Sequence, residues 1–170
     1  MKEPPYGLET PNLDAPFDVF RGTVLNAWTD WNGHMNVGYY VVAFDHATGQ
    51  IFNNLGLPYE YTSNKIGMYF VLEAHVNYVS EMKEGDGFSV RSQILDHDHK
   101  RVHLFHTMFA EDDGRLVATN ELMLMNIDYA SRRSAPWPDW AMQRIEAMAA
   151  AHSALPRPSQ MGNLIAIRKS

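Results

Sequence analysis

The chain contains no cysteine among its 170 residues. A thiol nucleophile and a cysteine zinc site are therefore excluded, and the composition fits a reducing compartment. The sequence also has no apolar run long enough to span a bilayer, and its N-terminus, MKEPPYGLETPNLDAPFD, is polar and rich in proline rather than a signal peptide or an anchor. We expect a cytoplasmic protein with no membrane partner.

Basic residues are also few, with 14 Lys and Arg against 20 Asp and Glu. Nucleic acid is therefore not expected as a partner, and a polyanionic ligand would need a local basic patch. The length predicts one domain with a real core. We assign residues 1–16 to an N-terminal extension and residues 17–170 to a single domain that ends in a C-terminal helix and tail.

The order of predicted elements indicates the architecture. A strand is predicted over Phe17–Ala27, and apolar residues then recur at helical spacing from Val37 to Leu55, before Gly56 and Pro58. Four strands follow over 68–80, 87–95, 101–110 and 116–127, joined by hairpin signals, and a second helix covers 140–152. The pattern predicts an α+β hotdog fold, in which an antiparallel sheet wraps around one long central helix. Its exposed sheet edges favour a dimer.

A polar motif, Thr29-Asp30-Trp31-Asn32-Gly33-His34-Met35-Asn36, directly precedes the central helix. It brings a carboxylate, a carboxamide and an imidazole to the helix N-terminus, whose free N–H groups attract negative charge. A carbonyl oxygen that becomes an oxyanion fits there, with Asp30 or a water that it activates as the attacking group. The motif therefore indicates acyl transfer or hydrolysis, although Asp30, Asn32 and Asn36 are also common turn and cap residues.

Other candidates are less specific. Strict alternation along 68–80 places Tyr69, Glu73, His75 and Asn77 on one face, which is either a solvated sheet face or a polar wall opposite the motif. Glu81 follows that strand and has the pattern of a surface charge. Four histidines at 97, 99, 103 and 106 suggest a metal, but His103 and His106 should point to opposite faces of one strand, so no metal site is expected.

The motif resembles those of known thioesterases. Asp30-x-Asn32-x-His34-x-Asn36, with Tyr40 four residues on, resembles the signature of plant acyl-carrier-protein thioesterases, and Thr29-Asp30 and Phe44-Asp45 fall where 4-hydroxybenzoyl-CoA-type hotdog thioesterases carry Thr-Asp and Phe-Glu or a close variant. Residues 30–35, 100–106 and 150–158 resemble betainyl-CoA thioesterases of carnitine degradation, and that resemblance covers roughly Phe17 to Ile167.

The resemblance implies hydrolysis of a small acyl-CoA thioester, with no cofactor, in a homodimer or a larger even-numbered assembly. Asp30 takes the role of nucleophile or general base, Asn32 and His34 join the catalytic set, and the amide of Gly33 or His34 polarises the carbonyl. Either Glu73 or Glu81 supplies an auxiliary carboxylate. We further assign substrate binding to Trp31, Asn36, Tyr40, Tyr69 and Glu73, and CoA phosphate binding to Arg91, Lys100 and Arg101.

Two other functions remain open at this point. A hydratase or dehydratase on the same fold would use an Asp–His pair for proton transfer on an acyl thioester without hydrolysis. A non-catalytic module would bind acyl-CoA without turnover. Release of free thiol from acyl-CoA distinguishes the hydrolase from both.

Overall fold

The computed structural model describes residues 3–165, and within that range it contains five strands and three α-helices. In chain order these are β1 (Phe17–Thr23), α1 (Val37–Asn54), α2 (Tyr59–Ser63), β2 (Gly67–Tyr78), β3 (Gly87–His97), β4 (Arg101–Ala110), β5 (Leu116–Asp128) and α3 (Asp139–His152). The strands form one antiparallel sheet in the order β1-β3-β4-β5-β2. β1 and β2 are therefore the two edges.

Helix α1 packs on one face of this sheet, as the apolar spacing predicts. Ala43, Phe44, Ala47 and Ile51 are fully buried, whereas the side chains at 37, 41 and 42 on the other side of the helix are valines exposed to solvent. Asn36 caps the helix, because its Oδ1 accepts the N–H of Gly38 at 3.0 Å. The central helix of a hotdog fold is thereby confirmed, with one side of the helix uncovered in the single chain.

The core includes residues of α3 and of the N-terminal segment around Tyr6. α3 buries Trp140 and Ile145 against the second half of α1 and thus closes that end of the sheet. The N-terminal segment packs there too, since the Tyr6 hydroxyl and the Trp140 indole N–H both donate to the carbonyl oxygen of Gly56 at 3.1 Å. Residues of the predicted extension therefore contribute to the packed body.

The boundaries differ from prediction at two places. The first strand ends at Thr23 instead of Ala27, because Asn26–Trp28 form a 3₁₀ turn that leads into the motif. The predicted loop between α1 and β2 contains the short helix α2, which buries Tyr61. The Tyr61 hydroxyl donates to Asn126 Oδ1 at 2.8 Å, and this long-range contact has no local sequence signal.

A β-bulge overturns the predicted alternation along β2. The register with β5 shifts between Val71 and Glu73, so an extra residue reverses the two faces from that point. Tyr69 faces α1, where its ring stacks on Phe52 with centroids 4.1 Å apart. Glu73 lies instead on the outer face of the sheet, where it lines a cavity of about 350 Å³ with His103 and Glu121. The prediction that Tyr69 and Glu73 share a face is therefore wrong.

Candidate active site

The motif forms a tight turn held by its own backbone. The N–H of Asp30 donates to the carbonyl oxygen of His34, and the N–H of Gly33 donates to that of Asp30, both at 2.9 Å. Gly33 has a φ of 75°, which favours glycine at this position. The N–H of Met35 donates to Met82 O at 2.7 Å, which fixes the turn to the chain that follows β2. The turn is therefore a rigid support for its side chains.

The two carboxylate oxygens of Asp30 have different environments. Oδ1 accepts the N–H of Asn32 at 2.8 Å and so helps to hold the turn. Oδ2 has no hydrogen-bond partner among the residues that the structure describes, and the side chain is only partly buried. One oxygen thus fixes the carboxylate while the other is available to attack a carbon or to take a proton.

The turn also distinguishes between the two amides considered for the oxyanion. The N–H of Gly33 already donates to Asp30 O, so it cannot serve a substrate while the turn is intact. The N–H of His34 has no acceptor within residues 3–165. An unpaired amide next to the N-terminus of α1 is suited to a developing negative charge. The geometry therefore favours His34 over Gly33.

Of the two auxiliary carboxylates, only Glu81 lies beside the motif. Its Oε2 is 3.3 Å from His34 Nε2, and its Oε1 is 3.9 Å from Lys83 Nζ. The bulge directs Glu73 to the outer face instead, so the structure does not support a role for Glu73 in catalysis or substrate binding within this chain. The sequence left Glu73 and Glu81 as alternatives, because the contact between Glu81 and His34 depends on how the chain folds back after β2.

The remaining candidates for substrate binding differ in burial and in the contacts that they already make. Asn36 is occupied as the cap of α1, and Tyr40 is 4% exposed, with its ring edge-on to Tyr78 at 5.3 Å. Asn36 therefore stabilises the start of α1, and Tyr40 packs beneath the site. The assignment of Tyr40 to substrate contact is not supported. Trp31 is fully exposed at the tip of the turn, so it is not a core residue. Asn32 is also exposed there.

The three candidates for CoA phosphate binding do not form a shared site. The Arg101 guanidinium is already bonded to Asp98 Oδ2, through Nε at 2.8 Å and NH2 at 2.6 Å. The 330 Å³ cavity beside it is lined by Asp96 as well as Asp98, which opposes an anion. Arg91 lies over the ring of Phe109 at 5.1 Å on the outer face of the sheet. A phosphate role for Lys100 stays a prediction.

The structure carries no sign of a metal centre in the part that it describes. From residue 3 to residue 165, no three His, Cys, Asp or Glu side chains are grouped so that they could hold an ion. His103 and His106 point to opposite faces of β4, as predicted: His103 contacts Glu121, and His106 is buried beneath α1. Within the same range, no helix is both long and apolar enough to cross a membrane.

Comparison with known proteins agrees with this geometry. The family model of the thioesterase-like superfamily matches residues 24–145. The chain is 37% identical to the betainyl-CoA thioesterase of Pseudomonas aeruginosa over 149 residues, which is 88% of this chain and 94% of that protein. It is 34% identical over 165 residues to the L-carnitine dehydrogenase/betainyl-CoA thioesterase of Ruegeria pomeroyi, covering 95% of this chain and 32% of that protein.

A solved structure is also similar to this chain. A Staphylococcus aureus protein in complex with CoA superposes with a TM-score of 0.84 at 34% identity, over 91% of this chain and 99% of that one. Because the family model covers well over half of the sequence, the chain belongs to the thioesterase-like superfamily.

Proposed function

We propose that this protein hydrolyses betainyl-CoA to betaine and CoA. Hydrolysis of an acyl-CoA thioester follows from the superfamily, and the choice of acyl group follows the Pseudomonas aeruginosa relative. The observation that carries the proposal is the Asp30 carboxylate. Its Oδ1 accepts the Asn32 N–H, whereas Oδ2 and the His34 N–H in the same turn have no hydrogen-bond partner among residues 3–165.

Two routes use the same atoms. In the first, Asp30 Oδ2 attacks the thioester carbon, CoA thiolate leaves, and water hydrolyses the resulting mixed anhydride. In the second, Asp30 takes a proton from water, and the hydroxide attacks. In both, the His34 N–H stabilises the oxyanion, and the thiolate that departs gains a proton from solvent or His34.

His34 and Asn32 support this reaction from the sides of the turn. Glu81 holds the imidazole of His34 through the 3.3 Å contact, so the ring stays close to the reacting group. Asn32 presents its side chain at the exposed tip, where its amide can bind water or the thioester carbonyl. Substitution of either residue by Ala should lower kcat more than it raises KM, because both act on the reacting centre.

We propose a homodimer as the functional unit, with CoA bound near the boundary between subunits. The supporting features are the unpaired edge of β2 and the valines exposed on α1, together with Phe70, Val71 and Leu72 exposed on β2. Exposed apolar side chains beside a free sheet edge are typical of protein interfaces. Light scattering should give an even-numbered assembly, and an active monomer at micromolar concentration would contradict it.

Substrate, cofactor and location complete the proposal. A relative at 34% identity was solved with CoA, which supports a CoA thioester as the substrate. We expect full activity without a cofactor, so prolonged dialysis against EDTA should leave kcat unchanged. A cytoplasmic location stays a prediction.

The direct test is thiol release from a panel of CoA esters. Betainyl-CoA is compared with 3,3-dimethylbutyryl-CoA, which replaces the quaternary nitrogen by carbon in nearly the same shape, and with an enoyl-CoA. Rapid thiol release from betainyl-CoA is the expected result. Hydration of the enoyl ester without thiol release would show a hydratase, and binding without turnover would show a carrier module.

A further inference from the structure

The outer face of the sheet, turned away from α1, is partly covered by the chain that follows α3. We call residues 155–165 the tail segment. Phe105 of β4 points outwards, because His106 next to it is buried beneath α1, yet Phe105 is only 1% exposed. Leu155 and Pro156 of the tail segment border the same cavity as Phe105. The tail segment therefore covers this part of the sheet and encloses a space against it.

The enclosed space is a cavity of about 350 Å³ with mainly apolar walls. Pockets for small molecules measure roughly 300–1,000 Å³, so the cavity has the volume for a small ligand. Phe109, Leu116 and Pro158 add to the wall that Phe105 begins. No residue of the motif turn or of α1 borders this cavity. It is therefore separate from the candidate active site.

One positive charge lies in these apolar surroundings. Among the residues that the structure describes, Arg91 is the only charged residue that borders the cavity. Its guanidinium lies over the Phe109 ring at 5.1 Å, and no Asp or Glu within residues 3–165 lies within 4 Å of it. Thr107 is its direct cross-strand neighbour and offers a hydroxyl on the same face. A cation without a counter-ion beside apolar walls attracts an anion.

Another cavity beneath the same tail segment has the opposite charge. Its volume is also about 350 Å³, and Gly162 and Leu164 of the tail segment border it. Glu73 and Glu121 lie in its wall, whereas no Lys or Arg from residue 3 to residue 165 borders it. The Glu121 Oε2 accepts the N–H of Gly162 at 2.8 Å. An anion would be repelled there, so of the two cavities only the one around Arg91 suits an anion.

We propose that the cavity around Arg91 binds an amphipathic monocarboxylate, with the alkyl or aryl body against Phe105 and Phe109 and the carboxylate on the guanidinium. Arg presents two parallel N–H donors to a carboxylate, and this pairing is stronger than a bond between neutral groups. The apolar body gains free energy by leaving water. The phosphates of CoA carry more charge than one guanidinium balances, and they would leave the apolar walls without a partner.

The first test removes the positive charge and measures binding of octanoate by isothermal titration calorimetry. The wild type should bind octanoate at one site per chain. Arg91→Met keeps the aliphatic stem over Phe109 but loses the guanidinium, so octanoate should bind at least about tenfold more weakly. Arg91→Lys should keep part of the affinity, because it retains the charge without the paired donors. Arg133→Met, at an exposed position after β5, is the matched control and should bind like the wild type.

The second test varies the apolar body at constant charge. From butyrate to hexanoate to octanoate, the affinity should rise about threefold for each added methylene, which is the scale of burying that group. Inorganic phosphate and free CoA should bind to the Arg91 cavity more weakly than octanoate. Thermal unfolding verifies that each variant folds before its affinity is compared.

The variant Asp30→Asn distinguishes this cavity from the candidate active site. Because the motif turn does not border the cavity, Asp30→Asn should bind octanoate as tightly as the wild type. Octanoate that competes with the thioester substrate and binds Arg91→Met as tightly as the wild type would lie at the motif turn instead. That result would overturn the proposal and leave the proposed hydrolase activity untouched.

Other results identify other occupants of the cavity. Phosphate or CoA that binds more tightly than octanoate, and loses that affinity in Arg91→Met, would assign Arg91 to a phosphate group and overturn the proposal. A wild type that binds no octanoate would also overturn it, and this is the result expected if a second copy of the chain fills the cavity. Affinity for carboxylates that depends on Arg91 but not on chain length would leave only a surface anion site, without the apolar part proposed here.

Discussion

Two histidines near α1 have very different surroundings: His106 lies in β4 beneath the helix, and His34 lies in the turn that precedes it. His106 is fully buried between α1 and the sheet. Thr48 donates its hydroxyl to Phe44 O at 2.9 Å, so Thr48 Oγ1 accepts the His106 Nε2–H at 3.0 Å, and His106 Nδ1 accepts the Ser92 hydroxyl at 2.6 Å. His34, in contrast, is partly exposed and contacts one carboxylate, that of Glu81, at 3.3 Å.

The difference shows that proximity of reactive groups does not define a site. Ser92 and His106 have the separation of a catalytic serine and its base, but both are fully buried and every polar atom of the imidazole is satisfied. Burial lowers the pKa of His106 to about 3, so the imidazole stays neutral near pH 7 and is too weak a base to activate Ser92. Ser92 and His106 join β3 to β4, and His106 anchors α1 to the sheet through Thr48. Substrate can reach the exposed motif turn instead.

The largest expected effect is the loss of kcat when the Asp30 carboxylate of the exposed motif turn is removed. Asp30→Asn should lower kcat by roughly a hundredfold or more, the scale of removing a general base, because the amide can still accept the Asn32 N–H but cannot act as nucleophile or base. Thermal unfolding should be unchanged. Steady-state kinetics with betainyl-CoA measure this, with Asp18→Asn as the control. A variant that retains more than a tenth of the wild-type kcat would remove Asp30 from the mechanism.

The buried His106 should make the free energy of unfolding depend on pH under acidic conditions. An unfolded His titrates near 6.5, whereas the pKa of folded His106 is about 3, so its contribution to stability is complete above pH 6.5. As the pH falls below that value, only the unfolded chain takes up the proton. The free energy of unfolding should then decrease by up to about 1.4 kcal/mol per pH unit until the pH approaches 3.

Urea titrations between pH 7 and pH 4, at fixed protein concentration, measure that slope. The variant His106→Gln lacks the titrating group, so its free energy of unfolding should change less with pH. The difference in slope should be up to about 1.4 kcal/mol per pH unit, which corresponds to one proton. Equal slopes in the variant and the wild type would show that His106 does not govern acid stability. Burial also lowers the pKa of His152, which acts in the same direction and is present in both proteins.

The sequence predicted the architecture because strands and helices have local periodicities. Alternation and helical spacing gave the meander and α1, whose predicted start at Val37 is confirmed. The bulge in β2 was missed because polar and apolar residues still alternate on both sides of it, so Tyr69 and Glu73 were placed on the same face. An extra residue in a strand shows itself only in the register with the neighbouring strand.

The sequence predicted which residues of the motif belong to the candidate site, but it did not predict the contacts that they make. Asp30, Asn32 and His34 are identified by their spacing before the helix. Spacing does not identify Glu81 as the partner of His34. Glu81 reaches His34 only when the segment after β2 folds back and Met82 O accepts the Met35 N–H. Likewise, only the hydrogen bond from the Gly33 N–H to Asp30 O shows that Gly33 is occupied and His34 is not.

A moderate effect should follow from loosening the buried anchor. Ser92→Ala removes the hydroxyl that donates to His106 Nδ1 and leaves that nitrogen buried without a partner, which should lower the free energy of unfolding by about 1–3 kcal/mol. Because the substrate cannot reach this pair, kcat measured well below the melting temperature should stay within twofold. Ser131→Ala, at an exposed turn, gives a control for serine removal. A large loss of kcat in the stable, folded variant would mean that the anchor also sets the geometry of the turn.

The smallest effect should come from the carboxylate that holds His34. Glu81→Gln keeps the shape and a hydrogen-bonding oxygen but removes the charge, and both side chains are partly exposed, so water screens much of the interaction. We expect kcat to fall a fewfold with KM nearly unchanged, because Glu81 acts on substrate only through the position of the imidazole. Lys83→Met, which removes the other neighbour of Glu81, should change kcat less. In the double variant Glu81→Gln/His34→Ala, the loss should equal that of His34→Ala alone, since Glu81 has nothing left to position. Independent, multiplicative losses would show that Glu81 contributes by a route that does not pass through His34.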